Sequence, residues 1–280
     1  MNGLLICPWS RPAVPALGNR ASLSCVPLLG QGLIEYWLSH LACAGAKELL
    51  VLADDQPGQI RAVVGQGERW GLQVEIVAEQ RELTPAQALL KYEKRLDPAA
   101  AQNGIAVLDH FPGFPDLPVF NSYKEWFIAL HRWMPHARTP DRVGVRELKP
   151  GIYSGLNCHI SDAAALRDAC WIGKNVIIGD KAVIGPNAII EDGTFIEAGA
   201  TVTNSVVGKD TFVGQLTEIN GSFACGNTLV NLESGGTIEV PDKFVLCALR
   251  QSRAAQKDEL IRHLYRAAGF QIHQRISARE

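Results

Sequence analysis

Few residues of this 280-residue chain stand where their chemistry could be used. Asp109 closes the apolar run Ile105–Leu108, and Asp54-Asp55 closes the run Glu48–Ala53. A loop spanning residues 7–31, rich in Pro, Gly and Ser, leaves a first apolar run, Leu4–Ile6. If these runs are strands of one parallel sheet, the loop and Asp109 sit at carboxyl ends, where α/β sheets bind ligands. Asp54-Asp55 could face the same cleft, or simply end its strand and solvate a turn. Histidines stand at 40, 110, 131, 136, 159, 263 and 273. His159 is a candidate general base, able to deprotonate an amine or hydroxyl. His136 and His159 as parts of a metal site lack a third partner in sequence. Arg138, Arg142, Arg146 and Lys149 form a basic stretch that either meets phosphate or is solvated charge. The chain has no G-x-S-x-G, no H-E-x-x-H and no intact phosphate-binding loop.

Composition narrows the partners. Apolar residues make up 47% and charged residues 20%, with a formal net charge of −2, which fits a folded soluble chain and favours neither nucleic acid nor an anionic membrane. The seven cysteines, at 7, 25, 43, 158, 170, 225 and 247, form no CxxC and no metal-ligand spacing. With no secretory leader and no apolar run of transmembrane length, the expectation is a cytoplasmic protein with reduced thiols.

The elements that would hold these residues can be read in order. The spacing of Leu33, Ile34, Trp37, Leu38 and Leu41 predicts an amphipathic helix over 32–44. Helices are expected at 59–67 and, from Thr84-Pro85, to Leu96, with strands at 48–53, 72–78 and 105–108. Strands alternating with helices predict a parallel sheet covered on both faces. Residues 111–120 hold three prolines and are irregular, and 122–133 read as a helix with Trp126, Phe127, Leu130 and Trp133 on one side.

Residues 160–230 obey a different rule. Aliphatic anchors fall every six positions at Ile160, Leu166, Ile172, Ile178, Ile184, Ile190, Ile196 and Val202; one interval of five leads to Val207, then Val213 and Ile219 follow, and Cys225 is expected to hold the phase. A mostly small residue lies four places after each anchor, as at Ala164, Cys170, Val176, Ala182, Ala188, Thr194, Ala200 and Val206. A six-residue period fits short strands joined by tight corners, three to a coil, stacked as a triangular prism. Cys170 and Cys225 then read as small core residues. Solenoid ends need covering, and residues 232–239, the run Pro241–Leu249 and a helix over 254–268 are candidates for it.

The blocks IIGDKA, VIGPNA, IIEDGT and FIEAGA resemble the left-handed parallel β-helix of hexapeptide-repeat proteins. An α/β domain ahead of such a prism resembles the sugar-1-phosphate nucleotidyltransferases. The run VPLLGQGLIEYWLSHL from Val26 to Leu41 is similar to that family's L-P-V-G-G-K-P-L-I-E-Y-x-L-x-x-L, and the following ACAGAKELLVL matches its helix end and second strand. The resemblance implies a reduced, Rossmann-like nucleotidyltransferase domain at 1–118, a connector and linker at 119–153, the β-helix at 154–240, and a capping segment with a terminal helix at 241–280.

The family's chemical motifs are altered. Its glycine-rich loop, L-A-A-G-x-G-T-R-L-x-P-L, cradles a nucleoside triphosphate on backbone N–H groups. Here the segment is LLICPWSRPAVPAL from Leu4 to Leu17, where Pro8 removes a donor, Trp9 is bulky, and Arg11 is the surviving candidate phosphate contact. The family's phosphate-binding lysine falls near Ser22-Leu23, and no lysine precedes Lys47. G-T-A-G-A-L becomes TPAQAL from Thr84 to Leu89, without either glycine. The resemblance assigns Asp109 to the strand-end aspartate that coordinates Mg²⁺, while the family's sugar-binding half and its second metal aspartate are missing or cut. The expectation is therefore a catalytically degenerate relative, a binding or assembly module in sugar-nucleotide or polysaccharide metabolism, with no cofactor. The alternatives are an active Mg²⁺-dependent nucleotidyltransferase that makes an NDP-sugar, and acyl transfer on the β-helix with His159 as base. The expected partners are a second copy through the β-helix, as dimer or trimer, and a sugar nucleotide or sugar phosphate.

Overall fold

A computed structural model describes residues 3–18, 21–53, 56–96, 105–137 and 144–249. Asp54-Asp55, Arg138, Arg142 and the expected helix at 254–268 lie outside the described residues. The chain divides into two compact units, Met1–Arg146 with Val230–Gly236, and Glu147–Leu229 with Thr237–Glu280.

The first unit is a mixed α/β, Rossmann-like domain. Its sheet holds β1 (Gly3–Ile6), β2 (Glu48–Ala53), β3 (Gln73–Ala78) and β4 (Ile105–Val107) in the order β3-β2-β1-β4, all pairs parallel. Among the described residues its helices are α1 (Pro15–Gly18), α2 (Leu33–Cys43), α3 (Pro57–Val64), α4 (Pro85–Tyr92) and α5 (Tyr123–Trp133). β1 is buried along its whole length because both its neighbours are strands, which is why it reads as an unbroken apolar run.

Entry into α2 uses the motif singled out in sequence. Leu29 and Gly30 take left-handed φ values of 57° and 81°, closing a turn that pairs Leu28 with Gln31. Gly32 then starts the helix with its backbone against the chain, since a Cβ there would lie 2.8 Å from the Ser24 carbonyl oxygen. α4 begins on Thr84, whose hydroxyl accepts from the Gln87 N–H while Gln87 returns a bond to the Thr84 N–H, with Pro85 in the first turn. α5 packs Trp126 and Trp133 inward. Trp133 stacks on Phe111 at 4.9 Å and meets Tyr36 edge-on at 5.4 Å. Both tryptophans are buried, Trp126 with its ring edge-on to Tyr123 at 6.5 Å.

In the second unit, β5 (Arg146–Lys149) and β6 (Ile152–Ser154) come from residues expected in the linker, and they open the third of the sheets given below. The coils follow as β7 (His159–Ile160), β8 (Ala165–Leu166), β9 (Cys170–Ile172), β10 (Ile177–Ile178), β11 (Val183–Ile184), β12 (Ala188–Ile190), β13 (Phe195–Ile196), β14 (Thr201–Thr203), β15 (Ser205–Val207), β16 (Thr211–Val213), β17 (Glu218–Asn220) and β18 (Ser222–Cys225). β19 (Thr228–Asn231), β20 (Thr237–Glu239) and β21 (Leu246–Ala248) complete the described strands. They form three sheets, β21-β16-β13-β10-β7, β17-β14-β11-β8 and β20-β19-β18-β15-β12-β9-β6-β5, the faces of a left-handed parallel β-helix.

The anchors point inward as expected. Ile172, Ile184, Ile190, Ile196, Val202, Val207 and Val213 are wholly buried in one core with Cys170, Val176, Ala182, Ala188 and Ala200. Truncating one of the isoleucines to alanine in so closed a core costs about 2–5 kcal/mol.

One phase assignment needs correcting. Ala224, not Cys225, is the inward residue, because Val207 pairs with Ala224 and Val206 with Phe223. The reason is corner length. Three residues, Gly185-Pro186-Asn187, separate β11 from β12, whereas Asn204 alone separates β14 from β15 and Gly221 alone separates β17 from β18. Each short corner needs a positive φ, 47° at Asn204 and 59° at Gly221. The same shortening turns Val206 outward and puts Ser205 opposite Ala188. β21 pairs antiparallel with β16 along the last coil of its sheet, so the run Pro241–Leu249 contributes an edge strand at the end of the prism.

His131 gives the first unit a pH-sensitive element. Its ring stands edge-on to Phe127 at 4.4 Å, and its buried Nε2 has no hydrogen-bond partner. Burial lowers its pKa from 6.5 to about 4. The unfolded chain therefore takes the proton first, so the neutral ring's contribution is complete above about pH 6.5 and is lost as the pH falls towards 4. The loss amounts to roughly 3 kcal/mol. Urea unfolding of the first unit, followed from pH 7 to 4, should show a steeper loss of stability in the wild type than in His131→Leu.

Candidate functional site

The strand order creates a switch point. The chain winds outward from β1 through β2 to β3, then returns to the other side of β1 for β4, so the crevice lies beyond the carboxyl ends of β1 and β4. Arg11 follows β1 and Asp109 follows β4, with pairing extended one step by the Leu108 N–H donating to the Ile6 carbonyl at 2.9 Å. The sheet thus brings the two sequence-derived candidates to one edge.

A third residue, not identified from sequence, controls that edge. Glu82, in the loop between β3 and α4, receives Arg11 as a two-pronged pair: Nη1 donates to Oε2 and Nη2 to Oε1, both at 2.6 Å. The same Oε2 accepts the Trp9 backbone N–H at 3.0 Å, and Arg11 Nη1 also donates to the Trp9 carbonyl at 3.2 Å. Both side chains are less than a third exposed. Donating to Glu82 raises the Arg11 pKa against the opposing effect of burial, and the charges of Glu82 and Asp109 add to the rise. Burial pushes the Glu82 carboxyl up, but the Arg11 and Trp9 hydrogen bonds and the guanidinium charge outweigh it, and the net shift is downward. A planar fork on a carboxylate is also how arginine grips phosphate. Glu82 fills that fork from within the chain.

Asp109 is about half exposed, and its Oδ1 lies 2.6 Å from His110 Nδ1. The loop behind it is pinned. The Asp109 carbonyl accepts from the Val119 N–H at 2.7 Å, and the His110 carbonyl accepts from Trp37 Nε1 at 2.8 Å. The described residues gather no cluster of several carboxylates at this edge. Both Glu82 oxygens are engaged by Arg11, one Asp109 oxygen is engaged by His110, and no group of three or more His, Cys, Asp or Glu among the described residues is arranged to hold a metal. The first three positions after β1 turn no N–H to the crevice. The Cys7 N–H continues the sheet to the Leu52 carbonyl, Pro8 has no N–H, and Trp9 gives its N–H to Glu82.

The second unit carries its own concavity. His159 lies with Ser161, Asp180, Phe195 and Glu197 around a hollow of about 590 Å³ on the outer face of the sheet that contains β7, β10 and β13. Ser161 donates to Asp180, and Glu197 accepts the Gln215 N–H at 2.9 Å. Arg146 and Lys149 are exposed on β5, and His136 packs against Phe114 and Trp133 in the first unit.

The signal for Glu82 was present in sequence, as a carboxylate two residues before the TPAQAL helix start. Its partner could be known only once β1 and β3 were placed in one sheet.

Comparison with known proteins places the chain distantly among nucleotidyltransferase-like and hexapeptide-repeat proteins. The family described as the GMPPB C-terminal domain matches residues 154–247. A glucose-1-phosphate thymidylyltransferase from Actinoplanes sp. is 28% identical over 97 residues, covering 34% of this chain and 32% of that protein. The chain therefore spans about a third of the length of that curated relative. A solved structure of a substituted perosamine N-acetyltransferase from Caulobacter crescentus, in complex with CoA and GDP-perosamine, aligns with 65% of this chain and 94% of its own at 12% identity and a TM-score of 0.20. No helix among the described residues is long and apolar enough to cross a membrane.

The Arg11–Glu82 pair makes a stability prediction. With its folded pKa depressed, Glu82 stabilises the fold above the ordinary carboxyl value of 4.5, and this is lost as the pH falls through the lower folded value. Glu82→Gln should cost about 1–3 kcal/mol at pH 7. Denaturation at pH 7 and pH 3 should show the gap between variant and wild type narrowing in acid.

Proposed function

We propose that this chain is a sugar-nucleotidyltransferase-like protein whose sheet edge no longer transfers a nucleotidyl group, and that it serves as a binding or assembly module in sugar-nucleotide or polysaccharide metabolism. The observation that carries this reading is the occupancy of Arg11 by Glu82 at 2.6 Å on both prongs. In nucleotidyl transfer a sugar phosphate attacks the α-phosphorus and expels pyrophosphate, so several donors and a metal must be held ready for the developing charge. Here the Arg11 guanidinium is neutralised, and among the described residues both oxygens of Glu82 are taken up by that pair. The curated relative's name points to glucose 1-phosphate and a nucleotide as its reactants, which makes sugar phosphates and sugar nucleotides the ligand class to test.

Calorimetric titration with nucleoside triphosphates and Mg²⁺, on wild type and Asp109→Ala, separates the readings. The expected outcome is no Asp109-dependent binding and no pyrophosphate release when sugar 1-phosphates are added. Micromolar binding that is lost in Asp109→Ala, with pyrophosphate produced, would establish nucleotidyl transfer instead.

The assembly role is read as a homo-oligomer through the β-helix. Leu216 and Phe244, at the end of the prism, are 74% and 79% exposed, and Phe244 lies beside Gly214. Light scattering at micromolar concentration should give a mass above the 30.4 kDa of one chain, and Leu216→Ser with Phe244→Ser should return it to that value.

A further inference from the structure

We infer that the acidic hollow on the prism is a docking site for the chain's own carboxyl-terminal segment, residues 250–280, and that the segment sheathes this face in the single chain.

Three observations converge on this occupant. The first is the chemistry of the hollow. Its floor includes Ile177 and Phe195, which point outward because Ile178 and Ile196, their neighbours, point into the core. Its rim carries Asp162, Asp180 and Glu197 on the stacked corners that follow β7, β10 and β13. Successive coils of a parallel sheet lie about 4.8 Å apart, so these carboxylates form a short negative edge beside an apolar strip.

The second is where the described chain ends. β21 runs along β16, and Cys247 and Leu249 pack against the stacked Phe195 and Phe212 rings, 5.8 Å apart. The Leu249 N–H is fixed to the Asp210 carbonyl at 2.8 Å. The described chain therefore ends at the amino end of β16, one strand length across the face from the carboxylate corners, and the strip from β16 to β7 is only three strand spacings wide. Thirty-one further residues can cover that distance several times over.

The third is the sequence of the segment. Residues 250–280 hold seven basic residues against three acidic ones, in a chain whose formal net charge is −2. Leu260, Ile261, Leu264 and Ala268 recur at the spacing of one helical face, and Lys257, Arg262 and Arg266 are interleaved with them. An apolar stripe flanked by cations complements an apolar floor flanked by carboxylates. A tethered partner also meets its site at high effective concentration.

The full-length chain permits a direct test. Carbodiimide coupling should link Lys257, the one lysine in residues 250–280, to Asp162, Asp180 or Glu197, as read by mass spectrometry. In a mixture of ¹⁵N-labelled and unlabelled chains, the linked peptides should carry one isotope only. Tryptic cleavage after Lys257, Arg262 and Arg266 should accelerate about tenfold in Asp180→Lys with Glu197→Lys, and stay at the wild-type rate in Glu218→Lys, on another face. If the double lysine variant does not fold, Asp180→Asn with Glu197→Gln should give a smaller acceleration in the same direction. Linked peptides of mixed isotope would assign the hollow to a second copy and overturn the proposal. Links from Lys257 only to other surfaces, or equal cleavage rates in all variants, would also overturn it.

Discussion

A coil of the prism cannot be stable alone. Each contributes one inward side chain per face, and the space around that side chain is closed only by the coils on either side. The constraint is therefore one of vertical register: Ile160 must lie over Ile178 and Ile178 over Ile196, with the same alignment held on the other two faces. The ladder hydrogen bonds enforce the same alignment, since the N–H at each strand start donates to the coil beside it, as His159 does to Val176 and Ile177 to Thr194. Core and ladder are satisfied together or not at all, which makes the array behave as one cooperative body. Asparagines at the corners add a third line of alignment, with Asn187 donating to Asn204 and Asn204 to Asn220.

The first unit solves a different problem. A four-stranded parallel sheet buries its central strands and leaves its chemistry to the loops beyond the strand ends. Where a phosphate-binding loop would offer several N–H donors to a ligand, the segment after β1 turns its donors to the protein. Trp9 serves Glu82, Cys7 serves β2, and the Ala16 N–H donates to the Tyr123 hydroxyl at 2.8 Å. The aromatic core behind Asp109 then fixes the opposite bank through Trp37, Phe111 and Trp133. Internal bonds thus hold both banks of the edge.

Much of the architecture could be read from the chain because both of its parts repeat a simple pattern. Alternating apolar runs and amphipathic stretches located β1 to β4 and helices α2 to α5, with α3 displaced towards Pro57 and α4 ending at Tyr92 before the expected Leu96, and the hexads located the three faces. What could not be read was either local geometry or a long-range meeting. The phase slip at Ala224 depends on a corner of one residue, Gly221, where the in-phase corner between β11 and β12 has three. The burial of Trp133 depends on Tyr36 and Phe111, distant in sequence, reaching the same place. Arg11 and Asp109 could be placed at one edge from strand order, but Glu82 is separated from Arg11 by 71 positions. No periodicity links two residues whose only relation is a shared sheet edge.

The Arg11–Glu82 contact also sets a threshold. A carboxylate tethered in the same chain competes with any outside anion at an effective concentration of at least the order of millimolar. It never diffuses away, and its geometry is already matched to the guanidinium. A free monoanion would need to be present well above that level to displace it, whereas a ligand making several contacts elsewhere could open the pair with a small share of its binding energy. Any anion that engages the Arg11 fork must therefore first displace Glu82 from both of its prongs.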